Sequence, residues 1–150
     1  MGQCAAQRRR ADAGNLKLEM KSRPKIGTVG ELKFVVGQEH AIDFATGGMP
    51  AVLSTPRLVA LIERTARESL SPFLDENERT VGTEIEIRHL APTPLGKNVT
   101  IIARVIQSEG KLVNFQFEVR DEQEVVARGL HQRAVITVES FAKRVARKAG

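Results

Sequence analysis

The second half of the chain alternates. Four segments between residues 83 and 138 carry an apolar side chain at every second position, the period of a β-strand with one buried face. In TEIEIRHL (83–90), Ile85, Ile87 and His89 share a face. In NVTIIARVIQ (98–107) the shared face holds Val99, Ile101, Ala103 and Val105. KLVNFQFEVR (111–120) sets Val113, Phe115, Phe117 and Val119 against Asn114, Gln116 and Glu118. EVVARGLHQRAVITV (124–138) is longer, and Gly129 is expected to mark a bulge in it. The linkers SEG (108–110) and DEQ (121–123) are short enough for antiparallel hairpins. Strands patterned in this way need an apolar cover for their inner face.

One helix can supply it. In STPRLVALIERTARESL (54–70), Thr55 is a good N-cap and Pro56 suits the first helical position. At 100° per residue, Leu58, Leu61, Ile62, Thr65, Ala66 and Ser69 form one broad face of mostly modest side chains, with Arg57, Arg64 and Glu68 opposite. Pro72 ends the helix near Leu70. Upstream, GELKFVVG (30–37) reads as a short strand with Leu32, Phe34 and Val36 on one face, and FATGGMP (44–50) as a mobile loop. The order strand, loop, helix, four antiparallel strands predicts an α+β fold, a curled antiparallel sheet around one long helix. A single helix covers only one face, so the other face or a strand edge is expected to meet a second copy of the chain.

Composition narrows the classes. A chain of 150 residues with 41% apolar content suits one domain with one core. There is no Trp or Tyr, so that core rests on Val, Ile, Leu, Ala and six Phe. No apolar run approaches the ~20 residues of a membrane helix. Cys4 is the sole cysteine, which excludes an intrachain disulfide and fits a reducing, cytoplasmic setting. His40, His89 and His131 lie far apart, and no metal-ligand spacing is present. The net charge of +5 could mark an anion-attracting surface, but seven of the 23 basic residues lie in QRRR (7–10) and KRVARK (143–148). Terminal bias is the favoured reading, and nucleic-acid binding is not expected without an interleaved aromatic and basic surface. Residues 1–19 lack apolar periodicity and a secretory h-region, Ala6 departs from a myristoylation motif, and Asp12 and Glu19 intrude on a transit-peptide reading. They are expected to form a disordered tail before a single domain over 20–150, with Met20 a candidate start.

Several polar residues carry two readings. Thr55 is explained by capping, yet a hydroxyl at a helix N-terminus also sits where free N–H groups favour an oxyanion. Glu63 borders the apolar face, where Arg67 offers an i,i+4 ion pair; its other reading is a partly desolvated general base. Eight residues of helix put Thr55 and Glu63 about 12 Å apart, so the two need an intermediary. His89, inward on the Ile85–Ile87 face, is a candidate for that place or a hydrogen-bonded core residue. His131 and Arg133 share a strand face and are open to structural or exposed roles.

Taken together, STPRLVALIERTARESLSPFL, TVGTEIEIRHLAPTPLGKNVTI and GLHQRAVI resemble the fluoroacetyl-CoA thioesterase group of the hotdog-fold superfamily, over roughly residues 25–148. The resemblance implies a sheet wrapped around a central helix, dimerised through the sheet, with active sites at the dimer interface. It implies a catalytic threonine at Thr55, a helical glutamate at Glu63 and a histidine at His89, with a backbone glycine near the thioester at Gly82 and an arginine near the site at Arg133. The segment before the helix, FATGGMPAVLS (44–54), departs from the group: it is shorter and Gly-rich, and Thr46 and Met49 stand about where substrate-contacting aromatics would be. That departure argues for a retained hydrolytic core without fluoroacetyl selectivity.

The resemblance thus implies hydrolysis of a short or small acyl-CoA by Thr55, His89 and Glu63. No metal is expected, and no cofactor apart from the CoA of the substrate. A non-hydrolytic acyl-CoA binding or sensing module is the alternative from another class.

Overall fold

A computed structural model describes residues 22–150; the expected tail over 1–19 and the start at Met20 lie outside the described residues. Five strands form one antiparallel sheet: β1 (Val29–Val35), β2 (Glu78–His89), β3 (Asn98–Glu109), β4 (Leu112–Arg120) and β5 (Val125–Thr137). Their order across the sheet is β1-β3-β4-β5-β2. The hairpins follow the short linkers: Gly110 turns the chain between β3 and β4 at φ 57°, and β4 pairs directly with β5. The long helix α1 (Thr55–Leu70) packs against β1, β3 and β2. A second helix, α2 (Val138–Ala149), follows β5 and buries none of its residues.

The alternation read from the sequence becomes the core. Val99, Ile101, Ala103 and Val105 of β3 and Val113, Phe115, Phe117 and Val119 of β4 are all buried on the face that meets α1. The helix supplies Leu58, Ile62, Ala66 and Leu70, each fully buried. Thr65 is buried too; its hydroxyl donates to Leu61 O at 2.7 Å, and that of Ser69 on the same face donates to Ala66 O at 2.7 Å, so both polar groups are satisfied by the helix itself.

Gly129 does not mark a bulge. It sits in unbroken register between Ile87 and Phe117, and the register of β2 against β5 shifts instead between Gly82 and Glu84. Gly129 is needed for close approach: a Cβ there would stand 1.9 Å from the carbonyl oxygen of Glu86 and 2.7 Å from Phe117 Cζ. Strand β2 is one edge of the sheet, and Gly82, Thr83 and Glu84 on it are exposed.

Candidate functional site

Thr55, the expected N-cap, does not cap α1. Ser54 does: its backbone is extended at φ −81° and ψ 149°, and its Oγ accepts from Arg57 N at 3.3 Å. Ser54 is itself buried and held by its own N–H, which donates to His40 O at 2.8 Å. Thr55 therefore occupies the first helical position with its hydroxyl released from the backbone, and Pro56 follows it in the first turn. The N–H of Arg57 is taken by Ser54 Oγ and that of Leu58 by Ser54 O, while Pro56 has none. The N–H of Thr55 stays at the positive end of the helix dipole.

The released hydroxyl meets a histidine. Thr55 Oγ1 and His89 Nδ1 are 2.7 Å apart across 34 residues of sequence. Strand β2 carries His89 at its last position, where pairing with Ala127 and the bond from Leu90 N to Val126 O at 2.7 Å fix the backbone. Burial lowers the His89 pKa from its ordinary 6.5, so the neutral ring is favoured. Its Nε2 is buried with no hydrogen-bond partner among the described residues. Either the hydroxyl donates to Nδ1 and Nε2 bears a proton, or Nδ1–H donates to the hydroxyl and Nε2 is a bare lone pair.

Glu63 belongs to a different cluster. Neither Thr55 nor His89 bonds it. Its Oε1 lies 2.8 Å from the position a Cβ on Gly82 would take, and His131 Cε1 lies 3.3 Å from that same position. Gly82 faces Arg133 in the β2–β5 register. Arg133 and His131 are buried, only 3% and 2% exposed. Arg133 Nε donates to Thr80 Oγ1 and Nη2 to Thr80 O, both at 2.8 Å, and Nη1 reaches His131 Nε2 at 3.2 Å. A guanidinium only donates, so His131 Nε2 accepts, and Nδ1–H donates to Glu84 O at 2.8 Å. The neutral Nδ1–H tautomer is thereby fixed. Burial first, then the positive charge of Arg133, lowers the His131 pKa, against the pull of the Glu84 carbonyl and of Glu63. Burial likewise lowers Arg133, while Glu63 opposes the shift. Glu63 is thus the negative charge that faces the buried guanidinium.

The structure brings Thr55 to His89, and Glu63 to Gly82, Arg133 and His131, as two groups in one chain. Met49 lines a pocket beside Thr55 and His89, together with Phe44, Ile42, Val52 and Leu90. Thr46 is not part of that lining; its backbone forms the turn below, donating to Phe44 O and accepting from Met49 N. Phe44 was not legible as a site residue, because a lone aromatic at the start of a Gly-rich loop has no periodic partner. The burial of His131 and Arg133 was half legible, since their i,i+2 spacing puts them on one face without saying which.

Among proteins of known family the likeness is broad. The family profile described as fluoroacetyl-CoA-specific thioesterase matches residues 36–139. The chain belongs to this family. It is 33% identical over 99 residues to the fluoroacetyl-CoA thioesterase of Streptantibioticus cattleyicolor, covering 66% of this chain and 71% of that protein. A crystal structure of a point mutant of the fluoroacetyl-CoA-specific thioesterase superposes with a TM-score of 0.78 at 29% identity, covering 85% of this chain and 99% of that one. A hot-dog-like protein from Thermanaerovibrio acidaminovorans superposes with a TM-score of 0.77 at 28% identity, covering 83% and 93%. A thioesterase superfamily member from Thermus thermophilus gives a TM-score of 0.74 at 27% identity, covering 85% and 97%. The sheet and helix described above are therefore the hotdog fold of a fluoroacetyl-CoA-specific thioesterase family member. Among the described residues no helix is long and apolar enough to cross a membrane.

Proposed function

We propose that the protein hydrolyses an acyl-CoA thioester to the free acid and CoA. The observation that carries this reading is the 2.7 Å pairing of Thr55 Oγ1 with His89 Nδ1 at the N-terminus of α1, beside an apolar pocket. Family membership supports the choice of thioester as substrate.

In this mechanism Thr55 attacks the thioester carbonyl, or positions the water that does, and neutral His89 takes the proton at Nδ1. The carbonyl oxygen gains negative charge near the Thr55 N–H and the helix dipole. Collapse of the adduct breaks the C–S bond, and His89 returns its proton to the CoA thiolate. If Thr55 is the nucleophile, a water then cleaves the threonyl ester with His89 again as base. No metal enters these steps, and CoA takes part only as the leaving group.

Glu63 and Gly82 join the site in this reading through a homodimer. Strand β2 is an unpaired edge with its middle exposed. In a two-fold antiparallel pairing of β2 with its copy, facing positions lie equally many ladder steps from the axis, and Gly82 to Glu84 counts as one step because the register shifts there. An axis at Glu86 sets His89, three steps along the strand, opposite Gly82 of the partner subunit, three steps the other way. Glu63 of the partner subunit, which packs against that glycine, then orients the water or the imidazole. The solitary cysteine suits a cytoplasmic location for this enzyme.

The test is thiol release from a panel of short acyl-CoAs. Release abolished by both Thr55→Ala and His89→Ala supports the assignment, and full activity in both variants removes it. Tight binding of acyl-CoA with no release of thiol by the unaltered protein would instead identify a binding module.

A further inference from the structure

We infer that the site selects an uncharged, apolar acyl chain longer than two carbons, an inference that rests on the thioesterase reading above. The pocket that opens beside Thr55 and His89 has a volume of about 280 Å³. A water takes up ~30 Å³ in the liquid, and each heavy atom of an acyl chain takes a volume of that order. The pocket is open to solvent on one side, and a two-carbon acyl group leaves much of its apolar wall uncovered.

The lining sets the chemistry. Ile42, Phe44, Met49, Val52 and Leu90 surround the Thr55–His89 pair, and no Lys, Arg, Asp or Glu is among the lining residues. Two of these side chains sit on the loop before α1, away in sequence from the β2 edge that the proposed dimer pairs, and are large, apolar and open: Phe44 is 60% exposed and Met49 43%. Apolar groups left open around a reactive pair are what a hydrocarbon chain would cover. A terminal carboxylate would meet no cation within this lining; Arg57 lines the adjoining pocket, which shares Ile42, Phe44 and Thr55, but Asp43 lines that pocket too. A branched or slightly longer chain is accommodated because Met49 is unbranched and adaptable. The loop that presents Met49 is set by Gly47 at φ 62° and Gly48 at φ 88°, conformations that residues with a Cβ rarely adopt, and by the bond from Met49 N to Thr46 O at 3.1 Å. Phe44 and Met49 are therefore specificity-determining residues that the substrate chain contacts.

The experiment compares kcat/KM for acetyl-, fluoroacetyl-, butyryl-, hexanoyl- and succinyl-CoA with the full chain. Butyryl-CoA is expected to exceed acetyl- and fluoroacetyl-CoA by about tenfold or more, at the low end of the known worth of methylenes in apolar pockets. Succinyl-CoA, which has the same chain length as butyryl-CoA but carries a carboxylate, is expected to fall at least about tenfold below it. Phe44→Ser and Met49→Ser each shrink the butyryl-to-acetyl ratio. In parallel, calorimetric titration with the unreactive thioethers S-ethyl-CoA and S-butyl-CoA reads the pocket without turnover, and S-butyl-CoA is expected to bind more tightly. Hydrolysis in which acetyl, fluoroacetyl or succinyl outruns butyryl overturns the inference and leaves the thioesterase reading standing. Absence of all hydrolysis with S-butyl-CoA still preferred overturns the thioesterase reading and keeps the pocket. Equal binding of the two thioethers overturns the pocket.

Discussion

The carboxylate of Glu63 occupies the space that a side chain at position 82 would need, with Oε1 2.8 Å and Cδ 3.2 Å from where the Cβ of residue 82 would stand. Gly82 has no positive φ, so its backbone would tolerate alanine; the close neighbours are the Glu63 carboxylate and, at 3.3 Å, His131 Cε1, which must give by a few tenths of an ångström. The end of Glu63 is flexible and would move at little energetic cost. Gly82→Ala is therefore expected to displace the carboxylate from its place beside Arg133 while leaving the melting temperature within a few degrees. The expected loss is about tenfold or more in kcat/KM, the scale of a misplaced general base or water-orienting group. A variant that melts normally and turns over at the native rate would show that the position of Glu63 is irrelevant to the reaction.

Ser54 and Thr55 divide two tasks that either could perform alone. Ser54→Ala removes the cap on Arg57 N and is expected to cost about 1 kcal/mol of stability. Thr55→Ala removes no bond to the backbone and is expected to leave stability nearly unchanged while abolishing thiol release. Chemical denaturation of the two variants, with activity measured alongside, separates the effects. A large stability loss on Thr55→Ala would contradict the capping geometry.

The proposed sharing of sites between subunits makes a complementation prediction. His89→Ala and Glu63→Gln homodimers should each be impaired. Co-expression gives heterodimers in which one of the two sites has both residues intact. Random pairing at equal expression then restores about a quarter of native activity. If both residues act within one chain, mixing restores nothing.

Acid should weaken both the fold and the reaction. His89 and His131 are each lowered below the ordinary 6.5, chiefly by burial. Below that value the unfolded chain binds more protons than the native one, so stability rises with pH there and levels off above about 6.5. Thermal melts from about pH 7 down to about pH 5 should show a falling midpoint, with a shallower fall in His89→Gln. For the reaction, His89 must be neutral to accept a proton, so kcat/KM should fall on an acid limb whose midpoint lies below 6.5. An acid limb centred above that value would exclude His89 as the base.

Much of the fold is legible in the sequence because β-alternation is a local signal. Val99 to Val105 and Val113 to Val119 face the core as their spacing predicts. What fails is what depends on register or on exact backbone geometry. Gly129 reads equally as a bulge or as a close approach, and only the position of the Glu86 carbonyl decides between them. Ser54 and Thr55 are both good caps, and the extended backbone at Ser54 makes the choice. His89 reaches Thr55 because β2 ends beside the start of α1, whereas Glu63, two turns on, meets the His131–Arg133 face of β5 instead. A helical wheel gives the direction in which Glu63 points but not the strand it meets.

The placement of the cap one residue before the reactive hydroxyl has a consequence for how this site can change over time. Position 55 carries no obligation to the helix, so serine or cysteine there could be sampled without loosening the fold. Lineages with this arrangement can explore different nucleophiles one substitution at a time, each intermediate remaining a folded protein.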